Sequence, residues 1–151
     1  MKKTMITAAL ALAFTLGAIA QVSYQELDEG QIVQTELRQA ISLAEKLLLG
    51  QKSGEIYILS EEEAIPEVAK GLTEGVQVSS YENISSMFGD YESMQFAEAL
   101  TMKTDQFYTL YRFKGTFSET SEKPEIRVVL NKEGKLAGFW IRPWQDDLEG
   151  Q

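Results

Sequence analysis

The chain has 151 residues, about the length of one domain, and carries a net charge of −9 with neither Cys nor His. The negative charge argues against nucleic acid as a partner, because nucleic-acid binding needs a basic surface. Without Cys no disulfide can stabilise the fold, and without His or Cys the usual pairs of nucleophile and base are absent. A metal site would need oxygen ligands alone, and the acidic runs at residues 61–63 and 146–147 lack the spacing of a calcium loop, so we expect neither a metal nor a cofactor.

The first 20 residues have the features of a signal peptide. Lys2 and Lys3 precede an apolar run, Met5 to Leu16, and small residues follow up to Ala20. The apolar run is shorter than the roughly 20 residues that a transmembrane helix needs. We expect cleavage after Ala20, a mature chain with a net charge of −11 after loss of the two lysines, and no membrane span. The mature protein is predicted to reach the periplasm or the extracellular medium.

The mature chain is predicted to hold a flexible start at residues 21–30, one domain at residues 31–145 and an acidic tail at residues 146–151. Apolar residues recur at helical spacing between Gln31 and Leu49, which predicts a long amphipathic helix. Gly50 follows it as a candidate C-cap.

Two further helices are predicted from capping boxes, in which a Ser side chain and a Glu three residues later bond the first helical turn. The two boxes are Ser60 with Glu63 and Ser79 with Glu82. Pro66 falls inside the helix of the first box, residues 61–72, and predicts a kink or a later start there. We expect residues 55–59 to form a helical turn.

Four strands are predicted after these helices, at residues 91–102, 107–117, 126–130 and 136–143. Each strand alternates with period two, and short polar connections join the strands into a meander. Helices followed by strands indicate an α+β fold, in which the N-terminal helices pack on one side of a four-stranded antiparallel sheet.

The closing hairpin, Val128 to Ile141, carries a motif that reads hydrophobic strand, Asn-Lys-x-Gly-Lys, Leu-x-Gly-Phe. Together with the helix ending Met87-Phe88-Gly89, it resembles uncharacterised bacterial modules of the nuclear-transport-factor-2-like (cystatin-like) superfamily, which are often fused to secreted α/β-hydrolases. The resemblance implies a curved, cone-like sheet wrapped on helices, with a cavity at its open end. Because the chain has no His, a His-dependent mechanism of the superfamily's enzymes does not carry over.

Glu98 is the candidate catalytic residue. On the first predicted strand it shares a face with Met94, Phe96, Leu100 and Met102. A carboxylate on an apolar face is costly unless it is paired or protonated, and a Glu in a cavity would suit a general base. The alternatives are that the strand register or twist turns Glu98 to solvent, or that Arg112 or Arg142 pairs with it.

Aromatic and arginine side chains on the last strands are candidates for binding, because Trp, Tyr and Arg dominate binding hot spots. The candidates are Tyr111, Arg112, Phe113, Trp140, Arg142 and Trp144. For Phe113 the alternative is packing in the core. We therefore expect a non-enzymatic exported domain that binds a small apolar ligand or a protein partner, with a homodimer among the arrangements. The alternative is a small isomerase-like or dehydratase-like enzyme that uses Glu98 as general base.

Overall fold

A computed structural model describes residues 22–104 and 106–148. It shows an α+β fold with an open sheet of five antiparallel strands, which follow one another in chain order. The strands are β1 (Ser23–Glu26), β2 (Tyr91–Lys103), β3 (Phe107–Phe117), β4 (Glu125–Asn131) and β5 (Leu136–Arg142). The helices are α1 (Gln34–Ser53), α2 (Pro66–Gly71) and α3 (Glu74–Phe88), and a single 3-10 turn covers Glu29–Gln31. The α+β class and the meander of β2 to β5 are confirmed.

The prediction of four strands is wrong by one, because β1 comes from the segment that was expected to be flexible. Ser23 pairs with Lys103 and Glu26 pairs with Leu100 at the edge of the sheet. Three of the four β1 residues are exposed, so the strand lacks an apolar face of its own. Its conformation is set by pairing with β2.

Helix α1 begins and ends later than predicted. Gly54, not Gly50, ends it in the left-handed conformation with φ 74°, and its N–H bonds to the main-chain oxygen of Gly50. Gly50 instead lies buried inside α1, where a Cβ would come within 3.0 Å of the main-chain oxygen of Glu55. The glycine therefore permits a close approach of the chain to the helix.

The N-termini of α2 and α3 are set by a proline and by a capping threonine, respectively. Helix α2 begins at Pro66, the later start that the proline predicted, because an N1 position needs no N–H donor. Residues 55–59 form no helical turn. Helix α3 begins at Glu74, five residues before the predicted Ser79 cap, because the Thr73 side chain accepts from Val76 and caps it.

The main core lies between the helices and one face of the sheet. Leu43, Leu47 and Leu48 of α1 pack there with apolar residues of every strand from β2 to β5. A second apolar cluster lies on the opposite, outer face, where Leu110 and Val129 are almost fully buried. The sheet is thus covered on both faces.

A bulge in β2 changes the predicted face of Glu98. Phe96 lies opposite Phe113 and Glu98 lies opposite Arg112, so Ala97 is an extra residue in the ladder. Phe96 therefore packs on the helix face, whereas Glu98 lies with Arg112 on the outer face. The prediction that both share one face is wrong.

The predicted signal peptide, with its cleavage site after Ala20, lies outside the described residues. The predicted acidic tail is described only as far as Leu148. No helix in residues 22–104 and 106–148 is long and apolar enough to cross a membrane.

Candidate functional site

Five charged side chains meet on the outer face of the sheet and form what we call the arginine network: Glu98, Arg112, Glu125, Arg127 and Arg142. They come together because β2, β3, β4 and β5 present residues at matching register to the same face. Arg112 and Glu125 are both 0% exposed. A charged pair at this depth is stable only when its members neutralise each other and satisfy each other's hydrogen bonds.

Arg112 uses all three of its guanidinium nitrogens. Nε donates to Glu125, Nη1 donates to Glu98, and Nη2 donates to the main-chain oxygen of Gln145. The ion pair of Glu98 with Arg112 is the pairing that the sequence offered as an alternative to catalysis. Structural ion pairs of this kind explain a carboxylate on a sheet face without any catalytic role.

Glu125 is the shared acceptor of the network. Arg127 donates to its two oxygens from Nε at 3.0 Å and Nη2 at 3.1 Å, and Arg142 Nε lies 3.6 Å from Oε2. Burial lowers the pKa of the Arg142 guanidinium, and repulsion from Arg127 lowers it further, although Glu125 opposes this effect. With three guanidinium groups and two carboxylates, the network holds one more positive charge than negative.

Residues Pro143–Leu148, which we call the C-terminal segment, cover the arginine network. The indole of Trp144 lies over the guanidinium of Arg112 at 4.0 Å and near the Lys114 ammonium at 4.7 Å. Arg142 Nη2 donates to the side-chain oxygen of Gln145 at 2.7 Å. Leu148 is buried in the outer apolar cluster. An aromatic anchor, two polar contacts and an apolar anchor thus hold the segment.

The candidate binding residues do not form one site. Tyr111 and Phe113 are buried on the helix face, so a partner cannot reach them. The Tyr111 hydroxyl donates to Glu36 of α1 at 3.0 Å, which ties the helix to the sheet. Arg112, Arg142 and Trp144 belong to the arginine network and its cover.

Trp140 lies on the outer face of β5 and packs partly against the outer apolar cluster. Its ring covers Gly138, where a Cβ would lie 2.1 Å from the ring edge. The absence of a side chain at Gly138 therefore lets the indole lie flat against the strand.

A small cavity, which we call the β5 groove, lies between β5 and α3. It is lined by Leu47, Leu72, Gln77, Ser80, Tyr81, Ile84, Phe139, Trp140 and Ile141. Its volume is ≈20 Å³, room for about one water molecule. Ligand pockets for drug-sized molecules measure about 300–1,000 Å³.

The polar side chains of Gln77 and Tyr81 in the β5 groove form hydrogen bonds with other groups of the chain. The Gln77 amide donates to the main-chain oxygens of Tyr57 and Leu72, and the Tyr81 hydroxyl contacts the Leu47 oxygen and Gln77. Burial raises the pKa of Tyr81 to about 12. These groups hold the loop before α2 and the helices together, and the groove presents a mainly apolar wall.

The free side of β5 borders the same groove. Leu136 bonds the preceding loop there, donating to the Glu63 oxygen at 2.8 Å and accepting from Ile65 at 3.0 Å. From Gly138 to Ile141, no backbone hydrogen bond joins that side of β5 to another described segment. A strand edge with unpaired N–H and C=O groups is a template for another extended chain.

A polar cluster away from the sheet fixes the loop before α2. Glu63 accepts from Lys46 at 2.8 Å, from the Tyr57 hydroxyl at 2.7 Å and from the Ser60 N–H at 3.1 Å. Burial raises the pKa of Glu63, but these hydrogen bonds outweigh it and lower the pKa to about 2. The hydrogen bond between Ser60 and Glu63 is thus part of this cluster, and no helix begins at Glu61.

No group of three or more acidic residues in the described part of the chain could hold a metal ion. Comparisons with protein-family models, curated proteins and solved structures found no match to this chain. The site must therefore be interpreted from its own geometry.

Sequence reasoning missed Glu125 and Arg127 in the arginine network, Gln145 in the C-terminal segment that covers it, and Gln77 and Tyr81 in the β5 groove. A signal for the first two was present, since Glu125 and Arg127 alternate with Ile126 and Val128 along one strand. Two charges at period two on a buried strand indicate a polar layer on one face. No local pattern indicated Gln145.

Proposed function

We propose that this chain is a non-enzymatic exported domain that binds an extended segment of a protein partner along the free side of β5. The observation that carries the proposal is the edge from Gly138 to Ile141, which has no backbone hydrogen bond to another described segment and lies beside the apolar β5 groove. In such strand addition, main-chain hydrogen bonds give affinity and alternate side chains enter neighbouring pockets to give specificity.

The size of the β5 groove favours a peptide over a free small ligand. A cavity of ≈20 Å³ would take one methyl-sized apolar group of a side chain, whereas a whole apolar ligand would need the groove to open. We therefore propose a segment with a small apolar residue at the position facing Ser80 and Ile84. The nuclear-transport-factor-2-like assignment and the export of the chain belong to this proposal, and rest on the hairpin motif and the leader sequence.

No observation favours the enzyme alternative. A general base must lie within hydrogen-bond reach of a bound substrate. Glu98 lies on the outer face, bonded to Arg112, and is not among the residues that line the β5 groove.

The proposal is tested with peptides selected from a display library against the mature chain. We expect bound peptides to slow amide hydrogen exchange in β5, because their carbonyls would accept from the free edge. Ser80→Val adds volume inside the groove and should abolish binding, whereas Ser79→Val on the exposed side of α3 should not. Peptides that bind without slowing exchange in β5, or that tolerate Ser80→Val, would exclude strand addition at this edge.

A further inference from the structure

The C-terminal segment lies on the arginine network in the way that a peptide ligand lies on a receptor. Its contacts come from side chains at both ends, Trp144 over Arg112 and Leu148 in the outer apolar cluster. Between them, Gln145 presents two oxygens, one to Arg112 and one to Arg142. Two guanidinium groups thus donate to two neutral oxygens of one residue, and a carboxylate oxygen would be a stronger acceptor at either position.

Charge supports the same interpretation. The network carries one excess positive charge in a chain whose net charge is −9. The segment above it contains Asp146 and Asp147. The acidic C-terminal segment and the positively charged arginine network are therefore electrostatically complementary, as two partners are at a binding interface.

We propose that the outer face of the sheet is a second binding site, which takes an extended acidic peptide with an aromatic residue from a partner protein. The chain's own C-terminal segment occupies this site and must leave before the partner binds. Arg112 and Arg142 bind the partner's oxygens, and the surface under Trp144 accepts its aromatic ring. This site is separate from the β5 groove and does not depend on strand addition there.

The tethered segment sets the affinity expected for a competing peptide. A tethered occupant acts at an effective concentration of about 1 mM. If the free segment binds with a Kd of about 100 μM, the covered form predominates by about tenfold, and a competing peptide loses the same factor. Weakening the tethered segment should therefore strengthen binding in trans by about tenfold.

The test uses the full chain and a fluorescent peptide that copies residues 143–151. Anisotropy should show weak binding to the unaltered chain and binding about tenfold tighter to Trp144→Ala/Leu148→Ala, which removes both anchors of the tethered segment. The matched peptide with Ala in place of its Trp should bind neither protein. Added salt should weaken the interaction, because charge contributes to it.

A second measurement covers the case in which the double variant does not fold. The unaltered chain, labelled with 5-fluorotryptophan, is titrated with the unlabelled peptide, and the 19F signal of Trp144 should move to the position of an exposed indole. A signal that stays fixed at peptide concentrations of about 1 mM would overturn the proposal. A concentration-dependent dimer that is lost in Trp144→Ala would also overturn it, since the occupant would then be a second copy of this chain.

Discussion

Replacing Arg112 with methionine should reduce the free energy of unfolding by about 3 kcal/mol or more, near the lower end of the range for breaking a buried ion pair. The variant removes contacts to Glu125, Glu98 and Gln145 together. Glu125, which is 0% exposed, keeps Arg127 at 3.0 Å and Arg142 at 3.6 Å, whereas Glu98 loses the ion pair with Arg112. The two remaining partners of Glu125 are why we expect the lower part of the range.

The magnitude is decided by burial, and two matched variants show this. Glu98→Gln should cost about 1 kcal/mol, because the side chain is 24% exposed and water can replace part of its bond. Lys114→Met, on the same face but exposed, should change stability by about 0.5 kcal/mol or less.

Urea unfolding followed by tryptophan fluorescence and far-UV circular dichroism measures these differences, provided that the m-values agree. An Arg112→Met variant that loses no more stability than Lys114→Met would contradict this prediction. The arginine network would then contribute little to the stability of the fold.

Two other variants test local features. Glu63→Gln should cost about 1–2 kcal/mol at neutral pH, discounted for the solvent exposure of Lys46. Lys46 and Tyr57 lower the pKa of Glu63 from 4.5 to about 2. The difference in the free energy of unfolding between the variant and the unaltered chain should therefore be complete above pH 4.5 and vanish as the pH falls to about 2. A difference that does not change with pH in urea titrations would contradict this prediction. Gly89→Ala should lower the melting temperature by the equivalent of about 2 kcal/mol, because φ is +83° and a Cβ would lie 2.4 Å from the Ser118 side-chain oxygen. The control Gly75→Ala should not lower the melting temperature, because no atom lies within 4 Å of the added Cβ.

The strands of the sheet could be predicted from sequence because their alternation is set by burial on one face. β2 and β3 begin at Tyr91 and Phe107, as the period-two pattern predicts. The pattern failed where pairing, not burial, sets the conformation. β1 is largely exposed and polar, and only its hydrogen bonds to β2 make it a strand.

The face of Glu98 could not be predicted for a different physical reason. A bulge inserts Ala97 without changing the composition of the strand, so counting residues by two continues through it and wrongly puts Glu98 on the same face as Phe96. The ion pair with Arg112 could still be offered from sequence, because a carboxylate on a covered face needs a cation within reach.

The cover of the arginine network could not be predicted because its contacts join residues far apart in the chain. Arg112 and Gln145 are separated by 33 positions, and a cation–π contact has no local sequence pattern. The acidic composition of residues 146–151 predicts a solvated tail. The apolar Leu148, with Trp144 four residues before it, is the feature that distinguishes this tail.

The two proposed sites share one strand, and this has a thermodynamic consequence. β5 presents Phe139 and Ile141 to the groove, Trp140 lines the groove and also packs against the outer apolar cluster, and Arg142 lies in the arginine network. A peptide added to the free edge would fix β5, and with it Arg142 under Gln145, so it should hold the C-terminal segment in place. Because coupling between sites is reciprocal, a peptide that displaces the segment should weaken binding at the edge by the same factor. Titrating each peptide in the presence of the other measures that factor, and independent affinities would show that β5 does not transmit the change.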